Sequence, residues 1–435
     1  MFKTIINAFK VKEIRTKIFI TLLLLAVYRF GCWLPVPGIN FDAFSAEVSG
    51  QSFLELLSAI SGGALANGAF FALGVSPYIN ASIIMQLLTM AIPRLERLSH
   101  EGNEGRKKIS RYTRIAGLIL ALVQAIAITV SFSSSGAINA ELFGSTGTTV
   151  FAYITVVSML VAGAMLTIWI GERITEVGIG NGLSLLIFVG IIASAGTALL
   201  NSLTSVFGTD GNIDNIWTIL IFITALIIIF GLVVFMDLAE RKIPVQYAKQ
   251  IKGRKMYGGQ NTNIPLKISG LGVMPIIFAT SIVLFPQLLM SFFWPTSDFY
   301  YWYASNLGSD SWIYNIVVAL LIVFFSYFYA QMAFNPEEVS RNIQQNGGFI
   351  PGIRAGKPTT DYLKKISSRV TLFGAIFLAF VFVVPALIFK GIDSSNTLVS
   401  AFSATGILIV VSVALEFDKQ LEAQMLMRNY RGFLK

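Results

Sequence analysis

The chain has 435 residues, 55% of them hydrophobic and only 13% charged, where a soluble globular domain carries about 25% charged residues. It has too little polar surface to coat water-soluble domains of that size, and it is far too hydrophobic for intrinsic disorder. One cysteine and one histidine exclude an internal disulfide and a Cys/His metal cluster, and they argue against acid–base chemistry near neutral pH. The composition points to an integral membrane protein with no metal or cofactor.

A spanning helix needs about 20 mostly apolar residues. Ten runs qualify, at about 18–36, 75–92, 115–132, 150–170, 182–201, 216–236, 268–292, 312–334, 370–389 and 397–415. The first follows a basic segment, residues 1–17, and ends in Gly31-Cys32-Trp33-Leu34-Pro35. That ending is not a small-x-small cleavage site, so the run reads as an anchor and not as a removed leader. Arg29 lies inside it, and snorkelling toward an interface is the expectation for such a charge.

Residues 38–74 separate the first two spans. The spacing predicts a short apolar helix over Ser52 to Ile60, then a glycine-rich stretch from Ser61 to Gly68, with Pro77 opening the second span. The segment is too apolar for an exposed loop and too broken to span. It is either an interfacial helix on the outer surface or a re-entrant helix plugging a funnel. Further on, Gly178-Ile179-Gly180-Asn181-Gly182 precedes the fifth span and Gly270-Leu271-Gly272-Val273-Met274-Pro275 opens the seventh. The first of these is a weak phosphate signal, because it follows a span and not a strand. Together these breaks suggest half-length helices around a central pathway.

Charge sets the direction. Thirty of the 32 lysines and arginines fall on one side, in the N-terminal segment, in loops 93–114, 171–181, 237–267 and 335–369, and in the tail 416–435. The positive-inside rule puts both termini in the cytoplasm and requires an even number of spans. Anionic lipid is one partner of so basic a face. Loops 237–267 and 335–369 are longer than adjacent helices need, and they carry turn signals at Gly258-Gly259 and Gly347-Gly348. They look built to meet a large acidic partner, protein or RNA. No GxxxxGK[ST] and no HExxH occurs, so no enzyme is expected. Three functions stay open on these grounds: a channel, a secondary transporter of a small solute built from two five-span repeats, and a scaffold subunit. The near absence of ionisable groups within the spans disfavours the transporter.

Several blocks in order resemble the SecY family, the central subunit of the bacterial protein-translocation channel. They are Ser61-Gly62-Gly63-Ala64-Leu65, the run from Ala72 to Leu88, Gly105 to Ser110, Gly178 to Gly182, Phe334-Asn335-Pro336 and Pro351-Gly352-Ile353-Arg354. The resemblance covers nearly the whole chain. It implies an all-α polytopic membrane protein with ten transmembrane helices in two pseudo-symmetric five-helix halves, 18–201 and 202–415, around an hourglass pore. The pore ring would be Val75, Ile79, Leu183, Ile187, Ile277 and Ile409. Val75/Ile79 and Leu183/Ile187 are each four apart, so each pair shares one helix face. A short re-entrant plug helix would occupy 55–71, with Ser61, Gly62, Gly63, Ala64 and Leu65 at its centre. Asn80, Gln86 and Phe285 would line a lateral gate. Arg254, Lys255 and Arg354 would contact cytoplasmic partners. The implied partners are the SecE and SecG subunits, the SecA motor ATPase, the ribosome, signal sequences and translocating polypeptides. The implied location is the bacterial plasma (inner) membrane.

Overall fold

The computed structural model describes residues 8–49, 52–133, 136, 138, 148–207, 214–247, 250–252, 255–257, 261–267, 274–294, 297–308, 311–391 and 404–432. Helices α1 (Lys12–Gly31), α2 (Phe41–Ser49), α3 (Ser52–Ile60), α4 (Ser76–Ala91), α5 (Pro93–His100), α6 (Asn103–Ser133), α7 (Thr148–Val177), α8 (Gly182–Phe207) and α9 (Asp214–Leu238) come first. Strands β1 (Glu240–Tyr247), β2 (Gln250–Lys252), β3 (Lys255–Tyr257) and β4 (Asn261–Lys267) follow. The chain continues through α10 (Met274–Phe293), α11 (Asp298–Leu307), α12 (Trp312–Ala333), α13 (Pro336–Gln345), β5 (Gly348–Phe349), α14 (Lys357–Gly391) and α15 (Ala404–Gly432).

A helix underlies part of each of the ten apolar runs, but α1 already ends at Gly31 within the first, and residues 268–273 and 397–403 of the seventh and tenth lie outside the described residues. Five helices among the described residues are long and apolar enough to cross a membrane: Asn103–Phe132, Val150–Val177, Gly182–Asn201, Trp312–Gln345 and Lys357–Ile388. Ile223–Leu238 and Met274–Gln287 are shorter apolar helices. The protein is thus a multi-pass helical membrane protein. Two of the other runs fall short for visible reasons. α4 has only 16 residues, and α1 carries Lys12, Glu13, Arg15, Lys17 and Arg29 along its length.

The fold divides into two compact units, Met1–Leu220 with Ser281–Tyr314 and Phe389–Lys435, and Ile221–Thr280 with Asn315–Ile388. In the first unit, Ile14 and Ile18 of α1 pack with Ala8, Ile179 and Leu421. The Gly178–Gly182 turn is docked onto α1, where the Thr21 hydroxyl accepts from Ile179 N–H at 3.2 Å. Gly182 N–H donates to the Thr175 hydroxyl at 2.9 Å. These two amides bind threonine oxygens, which docks the turn onto α1 and α7. An Arg114–Glu172 ion pair at 2.6 Å links α6 to α7. In α11, Ser297 caps the helix by accepting from Tyr300 N–H, and the Tyr303 hydroxyl donates to Val283 O at 2.7 Å. Burial raises the Tyr303 pKa above the ordinary phenol value.

The second unit contains strands that the sequence pattern does not announce. β1 pairs antiparallel with β4 from the same loop, Ile243 opposite Ile264, and with β5 from the next long loop, Gln246 opposite Phe349. The order is β4-β1-β5. Ile243 and Val245 alternate inward from β1 and pack with Leu266, Ile343, Ile350 and Leu363. The two long basic loops therefore share one hydrophobic core. Asn335 caps α13, its side chain accepting from Glu337 N–H and Glu338 N–H at 3.1 and 3.4 Å, with Pro336 in the first turn. That geometry accounts for the Phe334-Asn335-Pro336 block. Gly258-Gly259 and Gly270 to Val273 lie outside the described residues.

Candidate functional site

The expected plug starts in α3, which stops at Ile60 as the spacing predicts. Gly62 and Gly63 follow with φ of +72° and +82°, a backbone region that glycine enters freely. The chain then closes in turns. Gly63 N–H donates to Ser58 O at 2.8 Å and Asn67 N–H to Gly63 O at 3.0 Å. The Ser58 and Ser61 hydroxyls accept from Ala66 N–H and Leu65 N–H at 3.2 and 3.3 Å. Val36 N–H reaches Gly68 O at 3.0 Å and Phe70 N–H reaches Leu34 O at 2.8 Å, tying the segment to the chain that leaves α1. Ala64, Leu65, Ala69, Phe71, Ala72, Leu73 and Val75 are buried. The segment sits within the first unit with these backbone groups paired, unlike a helix resting on an outer surface.

Three helices hold it. Tyr28 of α1 stacks on Phe71, centroids 5.6 Å apart at 18°. Ser194 of α8 donates to Ala59 O at 3.1 Å. Glycines let α7 and α8 approach closely. A Cβ at Gly163 would overlap the Phe70 carbonyl, and one at Gly190 would lie 2.5 Å from Ile60 O. Arg29 corrects the snorkelling expectation, because its Nη1 donates to Gly62 O at 2.6 Å. A carbonyl just past the end of α3 lacks a partner in its own helix, so it offers the guanidinium an acceptor within the protein.

Four of the six expected ring residues lie at or near helix starts. Val75 precedes α4 and accepts from Ile79 N–H at 3.0 Å, and Leu183 and Ile187 lie in the first turns of α8. Each pair follows a glycine of positive φ, Gly74 at +52° and Gly180 at +91°. Val75, Ile187 and Ile409 are buried, whereas Ile79, Leu183 and Ile277 are half-buried. Leu183 lies against Gly171 of α7. Five of the six belong to the first unit and Ile277 to the second. Asn80 and Gln86 are half-buried on α4, as is Phe285 on α10 just before Pro286. Gln86 Nε2 donates to the Ser82 hydroxyl at 3.4 Å.

Arg354 is exposed on a turn of the second unit. The turn is firmly built. Gly352 has φ +82°, Ile353 N–H donates to Ile350 O at 3.0 Å, the Thr359 hydroxyl donates to Arg354 O at 2.8 Å, and Ile353 packs on the loop core. Lys255 opens β3 opposite Lys252, and Arg254 lies outside the described residues. No group of three His, Cys, Asp or Glu side chains able to hold a metal occurs among the described residues. Sequence reasoning missed Gly190, Ser194 and Gly163, whose only signal is small size within an apolar helix. It noticed Arg29 but expected it to reach toward an interface and not to the Gly62 carbonyl.

Residues 69–417 match the SecY family profile. The protein translocase subunit SecY of Streptomyces galbus is 41% identical over 443 aligned residues, covering 99% of each chain. One solved structure, described as showing that the plug domain of the SecY protein stabilises the closed state of the translocation channel and maintains a membrane seal, superposes with TM-score 0.65. It is 21% identical and covers 94% of this chain and 92% of that one. Sec61 in the canine ribosome–channel complex from the endoplasmic reticulum superposes with TM-score 0.61 at 20% identity, with the same coverage.

Proposed function

Since the chain belongs to the SecY family and is a protein-conducting channel, we propose that it passes unfolded secretory polypeptides across the bacterial plasma membrane and releases hydrophobic segments sideways into lipid. It has ten spans, both termini are cytoplasmic, and two five-helix halves, 18–201 and 202–415, line the pore. The observation that carries this mechanism is the buried turn segment Ser61–Gly74, which leads through Val75 straight into α4. Such a segment is suited to sealing a pore and to being displaced from it.

Val75, Ile79, Leu183, Ile187, Ile277 and Ile409 form the constriction. Aliphatic side chains offer a polypeptide no hydrogen bonds to stick to, and they dewet a narrow neck against ions. Asn80, Gln86 and Phe285 line the lateral gate. Arg354, with Arg254 and Lys255, meets an acidic partner, and exposure of Arg354 on a braced turn supports that role. Arginine there suits bidentate contact with phosphate or carboxylate. The sequence has no P-loop, so the driving energy comes from outside, from the SecA motor or the ribosome. SecE and SecG complete the channel. The solute-transporter reading has no support in the family match.

Purified chain should bind SecA, or ribosomes without nascent chain, more weakly as salt rises. Reconstituted with SecE, SecG and SecA, it should carry a secretory precursor into vesicles where protease cannot reach it. A reconstituted complex that moves a small solute but leaves every precursor accessible would overturn the reading.

A further inference from the structure

The end of α3 is capped by groups from other helices. A helix leaves its last carbonyls without partners and carries partial negative charge there. Ala59 O accepts from the Ser194 hydroxyl at 3.1 Å. Ser61 O accepts from the Cys32 thiol at 3.8 Å, and Gly62 O accepts from the Arg29 guanidinium at 2.6 Å. Arg29 is the charged member of the three, and it stands where a cation is most favourable. The Arg29 guanidinium carbon also sits 5.4 Å from the Trp33 ring centroid, which orients the group. The approach requires glycine, because a Cβ at Gly62 would lie 2.7 Å from Arg29 Nη1 and 2.9 Å from Gly190 Cα.

We infer that Arg29 is a latch: a helix cap supplied in trans that holds the plug seated, and that thereby sets how strong a signal sequence must be to open the channel. The inference rests on the plug assignment proposed above. Moving the plug breaks a charge-assisted hydrogen bond, so a signal sequence has to compensate for that loss before the pore clears. The latch answers to displacement of the plug by a substrate. Arg29 is here a positioning residue, because it acts on substrate only through the plug.

The test uses the channel reconstituted with its partner subunits, carrying Arg29→Met, which keeps length but removes every donor, or Arg29→Lys, which keeps charge but loses the planar fork. Two quantities are read: resting conductance in planar bilayers, and the ratio of weak-signal to strong-signal precursor exported. A charge-assisted hydrogen bond lost from the closed state alone raises the open fraction by on the order of ten- to a hundredfold. Arg29→Met should show that rise and a higher export ratio, and Arg29→Lys should restore part of both. Gly62→Ala, whose methyl intrudes on the guanidinium, should reproduce the leak; with Arg29→Lys it serves if Arg29→Met does not fold. A further readout is oxidant-driven bonding of Cys32 to a cysteine introduced by Ser61→Cys. Arg29→Met should slow that bond, and forming it should suppress the leak. Parent-like conductance and export ratio in folded Arg29→Met and Gly62→Ala overturn the latch. Removal of 55–71 separates the two ideas. If that deletion leaks while Arg29→Met stays tight, the latch fails alone. If the deletion also stays tight, the plug assignment fails with it.

Discussion

Replacing Gly190 with alanine should unseat the proposed plug by a calculable amount. The added Cβ would stand 2.5 Å from Ile60 O and 3.2 Å from Gly62 N. Both are backbone atoms, so no side-chain rotation can relieve the overlap. Overpacking of this kind costs about 1–3 kcal/mol, and the cost falls only on the seated state. Alanine also favours the helix by about 1 kcal/mol over glycine, but that gain is present in either plug position and cancels. Since about 1.4 kcal/mol is a tenfold ratio, the open fraction should rise roughly 5- to 150-fold. Gly196 on the same helix supplies the control, because nothing lies within 4 Å of a Cβ placed there. Planar-bilayer recordings should give Gly196→Ala the parent's resting open probability and Gly190→Ala the raised one. Equal open probabilities in the two variants, at equal amounts in the membrane, would refute the seating described here.

Other expectations follow from the same geometry. Ile187→Asn and Ile409→Asn place an amide at buried aliphatic positions; a wetted neck should raise ion leak and relax the demand on signal sequences, read as conductance and as export of weak-signal precursors. If Arg354 meets an acidic partner as proposed, Arg354→Glu should reduce SecA-driven translocation at least tenfold without altering the amount of protein in the membrane, because charge reversal would repel that partner; undiminished transport would remove Arg354 from the proposed contact surface. Asn335→Ala removes the cap that accepts from Glu337 N–H and Glu338 N–H. It should destabilise α13 by about 1 kcal/mol, visible as roughly fivefold faster amide exchange in its first turn.

The apolar runs and the break between the first two of them were legible because hydropathy and glycine placement are one-dimensional signals. Helix α3 over Ser52–Ile60 and the start of α4 beside Pro77 match expectation to within a residue. Arg29 was visible as a charge in the wrong place, but its acceptor is a main-chain carbonyl, which a sequence does not distinguish from any other. β1 was hidden for a different reason. Its inward residues are only Ile243 and Val245, set among Arg241, Lys242 and Pro244, and what buries them comes in part from Ile343, Ile350 and Leu363 in the next long loop. Tertiary pairing made that strand, not local pattern.

The union of the two loops also imposes a schedule on biosynthesis. β1 can pair with β4 as soon as the hairpin region is made, yet Gln246 waits for Phe349, about a hundred residues later. At synthesis rates of about 5–20 residues per second, that is roughly 5 to 20 seconds. Throughout that interval α10 to α13 are being made, while Ile243 and Val245 lack Ile343, Ile350 and Leu363. The turn that carries Arg354 is stitched to this same core through Ile353, so it gains its bracing only once the chain has grown past α12. A half-made copy therefore lacks the braced turn that carries Arg354.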